Sequence, residues 1–464
     1  MKNIVLLIFM FIYLNVSFAQ NTISYTLNHT PNSNKITVEL TFDNISVNRA
    51  KLIIPRSAPG TYELTNYIAF INNVKGYTSS GNVLKGVVGD GSFFTFNEKG
   101  QVLKRISYEV DINKMEINLL GSFASSKARE NYLGILGYSV FGFIEGFENE
   151  SIVLKVQTHK DWSIFSTLKP SIQRNKGTEL YEADNFALLA DAQLLLGDAV
   201  QVYQVSDSKI PMFVAVYSET AINIEEIGRR GLVSLNKLTE YFGYIPMPHY
   251  TLCYEFLNPV SDMHNYGFSM EHLNSMTASL DVSKAVLRPK EKAIGGIVHH
   301  MGHSWLPLRS YGTGYKPFEW QTAPIIETIW LNEGFIWYVS YYHILENKAI
   351  LQFFKRTISQ APKYIQDKSL KELSVLGSTQ YSLDFRIGKN LFSRGALLAH
   401  DLDLLIQKET NGQKSFKDAI LGLLKWTEAN KRAFKYDEIE AIMSEYTGVD
   451  LSNVWHKWQK PIKN

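Results

Sequence analysis

Two histidines, His299 and His303, stand four residues apart in the segment Ile294-Gly295-Gly296-Ile297-Val298-His299-His300-Met301-Gly302-His303-Ser304-Trp305. On a helix that spacing brings both imidazoles to one face, where two ring nitrogens can meet one zinc ion at about 2.0 Å. Two histidines that merely share a helix face give the same pattern. A second segment, Ile329 to Tyr338, sets Glu333 in an otherwise apolar helical stretch. A carboxylate buried there needs a cation. As third ligand to zinc it would leave the fourth position open to water, as catalytic zinc sites do; it could equally pair with Lys or Arg, or lie exposed at a helix start. A third segment, Asn265 to Ser275, carries Ser269, Met270 and Glu271. On an edge strand beside a zinc cleft, its carboxylate can bind a substrate's free amine while the strand pairs with substrate backbone. Alone it reads as a solvated Glu on a turn.

These residues need elements to hold them. From Ile23 to about Val205 short runs alternate apolar and polar residues, as in Lys35 to Phe42, Val102 to Val110 and Ser151 to Val156, with Asn and Gly turns between. The pattern predicts a β-sandwich, domain 20–205. After Ser206 apolar residues fall at helical spacing over Ile222 to Tyr241, and Tyr250 to Phe256 reads as a strand. A mixed α/β domain, 206–348, is expected to carry the site. Beyond Ala349 the pattern is helical throughout, including Gly395 to Lys408, Ser415 to Asn430 and Tyr436 to Tyr446, giving an all-helical domain 349–464. The fold class is therefore multidomain α+β, without internal repeats.

A chain of 464 residues, 45% hydrophobic and 20% charged, has enough apolar material for two or three packed cores. Lys2, the apolar run Ile4 to Leu14 and Ser17-Phe18-Ala19 predict a signal peptide over 1–19, hence export to the periplasm or beyond. No later stretch is long and apolar enough for a stable membrane span. The formal charge of +2, without a run of Lys or Arg to track phosphates, excludes nucleic acid as a partner. A single cysteine, Cys253, excludes an intramolecular disulfide and a cysteine-rich metal cluster. Composition leaves the oligomeric state open.

Taken together the segments resemble the glycyl aminopeptidase family of gluzincin zinc metallopeptidases, relatives of aminopeptidase N. In that family Gly-Gly-Leu-Glu-His precedes His-Glu-x-x-His, then Trp-x-x-Glu-Gly-x-Thr, then Tyr-x-Lys-Gly. The counterparts in this chain are Ser269 to His272, His299 to His303, Trp330 to Ile336, and Phe392-Ser393-Arg394-Gly395. Ile54 to Tyr62 is similar to the family's amino-terminal Pro-Gly-x-Tyr signature. The resemblance implies a thermolysin-like middle domain and one zinc ion held by His299, His303 and Glu333 between the middle and helical parts. It further implies substrate contacts from Ser269, Met270 and Glu271. The PDZ domain that members often carry is not expected. Trp305, Trp330 and Trp337 are expected to pack the helices.

Two positions depart from the family pattern. The glutamate that takes a proton from zinc-bound water is replaced by His300, and the tyrosine that donates to the oxyanion by Phe392. A lost general base costs about 10²-fold to 10⁴-fold in rate and a lost oxyanion donor about 10²-fold to 10³-fold. Imidazole can itself serve as a base, and another hydroxyl such as Tyr381 can reach the site from its loop. Ile336 also stands where the family has Thr. The expectation is an exported, zinc-binding pseudopeptidase that holds a peptide or protein ligand. An active zinc metallo-aminopeptidase releasing small amino-terminal residues is the alternative. A metal-free structural sandwich is a third class, which the ligand triad argues against.

Overall fold

The computed structural model describes residues 22–98, 100–120, 124–284, 294–322 and 324–462. The expected signal peptide, 1–19, lies outside them. The amino-terminal part is built on a ten-stranded sheet. Its spatial order is Phe143–Ile144, Lys51–Ile53, Phe93–Phe96, Val83–Val88, Ile71–Thr78, Val102–Asp111, Lys35–Ser46, Thr22–His29, Ser151–Gln157, Thr178–Ala183. Neighbours run antiparallel except Thr22–His29 with Ser151–Gln157, which are parallel. Strict alternation fixes the faces: Ile23, Tyr25, Leu27, Ile36, Val38 and Leu40 point inward while their neighbours meet solvent. A four-stranded sheet, ordered Ser163–Ser166, Gln193–Gly197, Tyr132–Leu136, Lys127–Arg129, contributes Leu133, Ile135, Ile164, Leu194 and Leu196 to the same core.

The middle sheet has five strands, in the order Gln201–Gln204, Met212–Ser218, Tyr250–Leu257, Ser275–Asp281, Gly267–His272. Met212–Ser218, Tyr250–Leu257 and Ser275–Asp281 run parallel. The almost continuous burial of Tyr250–Leu257 fits a parallel strand, which is covered on both faces. Helix Ile224–Phe242 packs on this sheet, with the Asn223 side chain accepting from the Glu226 N–H at 2.9 Å and Gly243 closing it at φ +85°. The outermost strand, Gly267–His272, antiparallel to its neighbour, carries Ser269, Met270 and Glu271.

A buried lysine clamps the two regions. The ammonium of Lys127 donates to Glu255 at 3.0 Å, to the Ser279 hydroxyl at 3.0 Å and to the Ser125 carbonyl at 2.8 Å. All three ammonium donors are satisfied, so the low-dielectric setting holds the pair together without leaving an orphan charge.

The remainder is helical from Ile350 on. The longest helix, Phe385–Glu409, already begins at Phe385 rather than near Gly395, because Asp384 caps it by accepting from the Arg386 N–H at 3.1 Å. Glycine, lysine and asparagine in its first turns hide that start from a hydrophobic periodicity. It crosses helix Ile329–Trp337 at a contact that only glycine permits. A Cβ on Gly395 would stand 2.0 Å from the Trp330 carbonyl oxygen, and one on Gly334 would stand 2.6 Å from the Gly395 Cα. The Glu-Gly and Arg-Gly pairs are thus two sides of one helix crossing. Beside it Arg394, fully buried, donates to the carbonyls of Lys368 (2.8 Å) and Lys460 (2.9 Å) and fastens the carboxyl-terminal segment. Among the described residues no helix is long and apolar enough to cross a membrane.

Candidate metal centre

Helix Gly295–Gly302 keeps helical backbone through His303, so the four-residue spacing places both imidazoles on one face as expected. Glu333 comes from Ile329–Trp337, held against them by the glycine crossing. His299, His303 and Glu333 are all buried. The two Nε2 atoms lie 3.2 Å apart, and Glu333 Oε2 is 3.4 Å from His299 Nε2 and 3.5 Å from His303 Nε2. A tetrahedral ion with bonds of about 2.0–2.1 Å has ligand-to-ligand edges of about 3.3–3.4 Å. The three edges match that triangle, so the residues fit zinc. The Leu306 carbonyl, 3.0 Å from His303 Nδ1, accepts a hydrogen bond from that nitrogen and leaves Nε2 to face the metal position.

The electrostatics make the same demand. Burial opposes a charge on His303, yet the carboxylates of Glu271 and Glu333 raise its pKa to about 9. Burial, and then the charge on His303, lower His299 to about 4. For Glu333 burial works against ionisation, but the His303 charge and the hydrogen bonds of both imidazoles outweigh it and hold the carboxyl below its usual range. The two buried carboxylates call for positive charge, which a protonated His303 supplies here and which a divalent ion would supply once that ring is deprotonated as a ligand.

Glu271 lies beside this centre. Burial again opposes its ionisation and is outweighed, chiefly by His303 and then by the neighbouring His300 imidazole. The loop bearing Pro59-Gly60-Thr61-Tyr62 closes over it: a Cβ on Gly60, φ +92°, would stand 2.6 Å from Glu271 Oε1. The loop is held by Thr61, whose hydroxyl donates to the Ala58 carbonyl at 2.8 Å and accepts from its N–H at 3.1 Å. The Tyr62 hydroxyl accepts from Asn332 at 3.2 Å, tying the loop to the residue before Glu333.

His300 does not face the metal position. Its Nε2 is 2.9 Å from the Ser269 hydroxyl and its Nδ1 is 3.5 Å from Glu271 Oε2, so both ring nitrogens turn to the edge strand. Met270 is buried, its sulfur contacted by the Tyr138 hydroxyl at 3.9 Å, and so packs the wall beneath the strand. Phe392 stacks on Trp337 with ring centroids 5.2 Å apart, and Trp337 lies 5.3 Å from the His299 ring. Trp305 and Trp330 pack the helices, on Phe242 and Trp455 respectively. Trp337 does that and also walls the centre. Tyr381 rests on Phe392 at 5.6 Å and on Tyr62 at 5.3 Å; burial, then the charges of Glu333 and Glu271, push its hydroxyl pKa up. Ile336, in place of a threonine, packs on Gly302 and supports the histidine helix by contact alone.

Tyr315 escaped the sequence reading. Its buried hydroxyl feels Glu271, Glu333 and Asp191, and no local motif marks it. Asp191, 2.9 Å from His272 Nδ1 and accepting from the Leu273 N–H at 2.9 Å, likewise fixes the end of the edge strand from a distant stretch of sequence.

Residues 24–198 match the peptidase M61 N-terminal domain. The whole fold is similar to that of an aminopeptidase N family protein from Idiomarina loihiensis, with a TM-score of 0.79 and 16% identity over 95% of this chain and 76% of that one. An M1 zinc metallopeptidase from Deinococcus radiodurans is similar at a TM-score of 0.56 and 12% identity, over 96% of this chain and 94% of that one. A mutant of that enzyme, bound to a Tyr-Ser-Ala substrate, matches equally. No curated protein sequence matches. The amino-terminal domain and the fold thus agree with the gluzincin aminopeptidase relationship expected from the motifs.

Proposed function

We propose that this chain is an exported gluzincin homologue that holds one zinc ion on His299, His303 and Glu333 and has lost most of its peptidase chemistry. It would hold a peptide or protein segment in the cleft. The observation that carries this reading is the orientation of His300, whose Nε2 is hydrogen-bonded to Ser269 and whose Nδ1 faces Glu271 at 3.5 Å. A base for metal-bound water has to offer a lone pair toward the metal position. Phe392, stacked on Trp337, offers no hydroxyl to an oxyanion. Bound zinc would supply a Lewis acid that polarises a carbonyl. The residues of the chain position the ligand: the free edge of Gly267–His272 pairs with its backbone, and Trp337 and Phe392 form an apolar wall. In this reading the amino-terminal part is a sandwich and the middle part thermolysin-like, with export by the segment 1–19.

A working metallo-aminopeptidase is the second reading, favoured by Tyr381, which lies against Phe392 and within the field of both site carboxylates as a substitute oxyanion donor. Elemental analysis of the mature protein, with a peptide-hydrolysis assay on wild type, His300→Glu and His300→Glu/Phe392→Tyr, separates the two. One zinc per chain with hydrolysis emerging only in the variants supports the pseudopeptidase. Chelator-sensitive hydrolysis by the wild type, diminished in His300→Glu, refutes it.

A further inference from the structure

Ser269, His300 and Glu271 form a line. The Ser269 hydroxyl is 2.9 Å from His300 Nε2, and the opposite ring nitrogen, Nδ1, is 3.5 Å from the Glu271 carboxylate. Exposure falls along it in the order nucleophilic catalysis needs: Ser269 is exposed, the His300 side chain 14% and the Glu271 side chain 4% exposed. With the ring proton on Nδ1 facing the carboxylate, Nε2 is left as an acceptor for the serine proton, so the acid sets the tautomer and the base faces the hydroxyl. The hydroxyl hydrogen bond is closed; the acid contact is at ion-pair length, a looseness common before substrate binds. The Gly60 backbone lies on the other side of Glu271, close enough that a side chain there would meet the carboxylate.

We propose that Ser269, His300 and Glu271 act as a nucleophile, base and acid, giving this chain a serine-dependent acyl transfer on small carboxylic esters that is separate from any metal-dependent peptidase chemistry. Ser269 Oγ bonds to the ester carbonyl carbon as its proton passes to His300 Nε2. The carbon–alkoxy bond then breaks, and the leaving alcohol carries that proton away. Water repeats the sequence on the acyl-serine and releases the acid. Strand Gly267–His272 lies at the edge of its sheet, so alternate backbone N–H groups there point outward and are available to the oxyanion. Esters are the class that suits the site, because an alkoxide leaves with less assistance than an amide nitrogen. The inference goes beyond the preceding reading and shares with it only the orientation of His300.

The test uses the mature zinc-loaded protein with a fluorophosphonate probe and with 4-nitrophenyl acetate, on wild type, Ser269→Ala and His300→Gln. Zinc content and melting temperature are measured on each to establish that it is folded. The expected result is one adduct per chain, mapped to Ser269, absent in Ser269→Ala and formed about 10²-fold more slowly in His300→Gln, with ester hydrolysis falling in parallel. No adduct on Ser269 in the folded wild type, or ester hydrolysis equal in Ser269→Ala, overturns the proposal. Chelator-sensitive peptide cleavage by the wild type would instead overturn the pseudopeptidase reading alone.

Discussion

Replacing Gly395 with Ala should damage the metal centre from a distance. The added methyl would stand 2.0 Å from the Trp330 carbonyl oxygen and 3.0 Å from the Gly334 Cα, where Cβ contacts under 3.0 Å essentially never occur. The atoms met are backbone, so no side chain can rotate away. Relief requires the helices to part by at least 3.0 − 2.0 = 1.0 Å. Overpacking of this kind costs about 1–3 kcal/mol, and a domain of 150–250 residues loses about 2–4 °C of melting temperature per kcal/mol. Glu333 is one residue from Gly334, so the same displacement pulls Oε2 from its 3.4 and 3.5 Å separations toward lengths that a tetrahedral ion with short bonds cannot span. Losses of support around metal ligands reduce affinity by about 10-fold to 100-fold. Competition with a chromophoric chelator measures that loss, and scanning calorimetry the stability. Gly296→Ala is the control: its Cβ meets nothing within 4 Å, and an alanine in a helix is neutral or favourable by up to about 1 kcal/mol. A Gly395→Ala protein with unchanged melting and zinc affinity would refute the reasoning that this crossing holds the third ligand in place.

Zinc at 100 times its dissociation constant should stabilise the protein by about 2.7 kcal/mol, an increment that chelation removes and that Glu333→Gln largely abolishes; differential scanning fluorimetry with and without metal reads it. Glu63 is buried with no ion-pair partner among the described residues, accepts from Thr65 at 3.4 Å, and burial raises its pKa from the ordinary 4.5 to about 7. Its folded-state value lies above its unfolded one, so its contribution is fully present below pH 4.5 and is lost as pH rises through about 7. Glu63→Gln should flatten the fall in stability across that window by an amount on the order of a few kcal/mol, measurable by denaturant titration at several pH values. An unchanged pH dependence would show that the carboxyl has another charge partner.

The amino-acid sequence by itself pointed to His299, His303 and Glu333 as candidate ligands and to the helices that bear them. A four-residue histidine spacing puts both rings on one face of a helix, and it was their convergence with Glu333, not the spacing alone, that the structure had to supply. Alternation from Thr22 to Ala183 fixed which face of each strand is buried, because the side-chain period of a strand is two. Strand Tyr250–Leu257 and helix Ile224–Phe242 were legible to within a residue or two for the same reason of period. The start of Phe385–Glu409 was not, since its cap and mixed first turns carry no hydrophobic rhythm. What only the tertiary structure decided were contacts between distant segments. Gly60 against Glu271, Asn332 with Tyr62, Tyr315 in the field of both carboxylates and Asp191 on His272 join positions from different elements, and no local pattern encodes them. The direction of His300 belongs to this group. The sequence identifies an imidazole where a carboxylate was expected; which neighbours its two nitrogens meet depends on the edge strand that packing brings beside it.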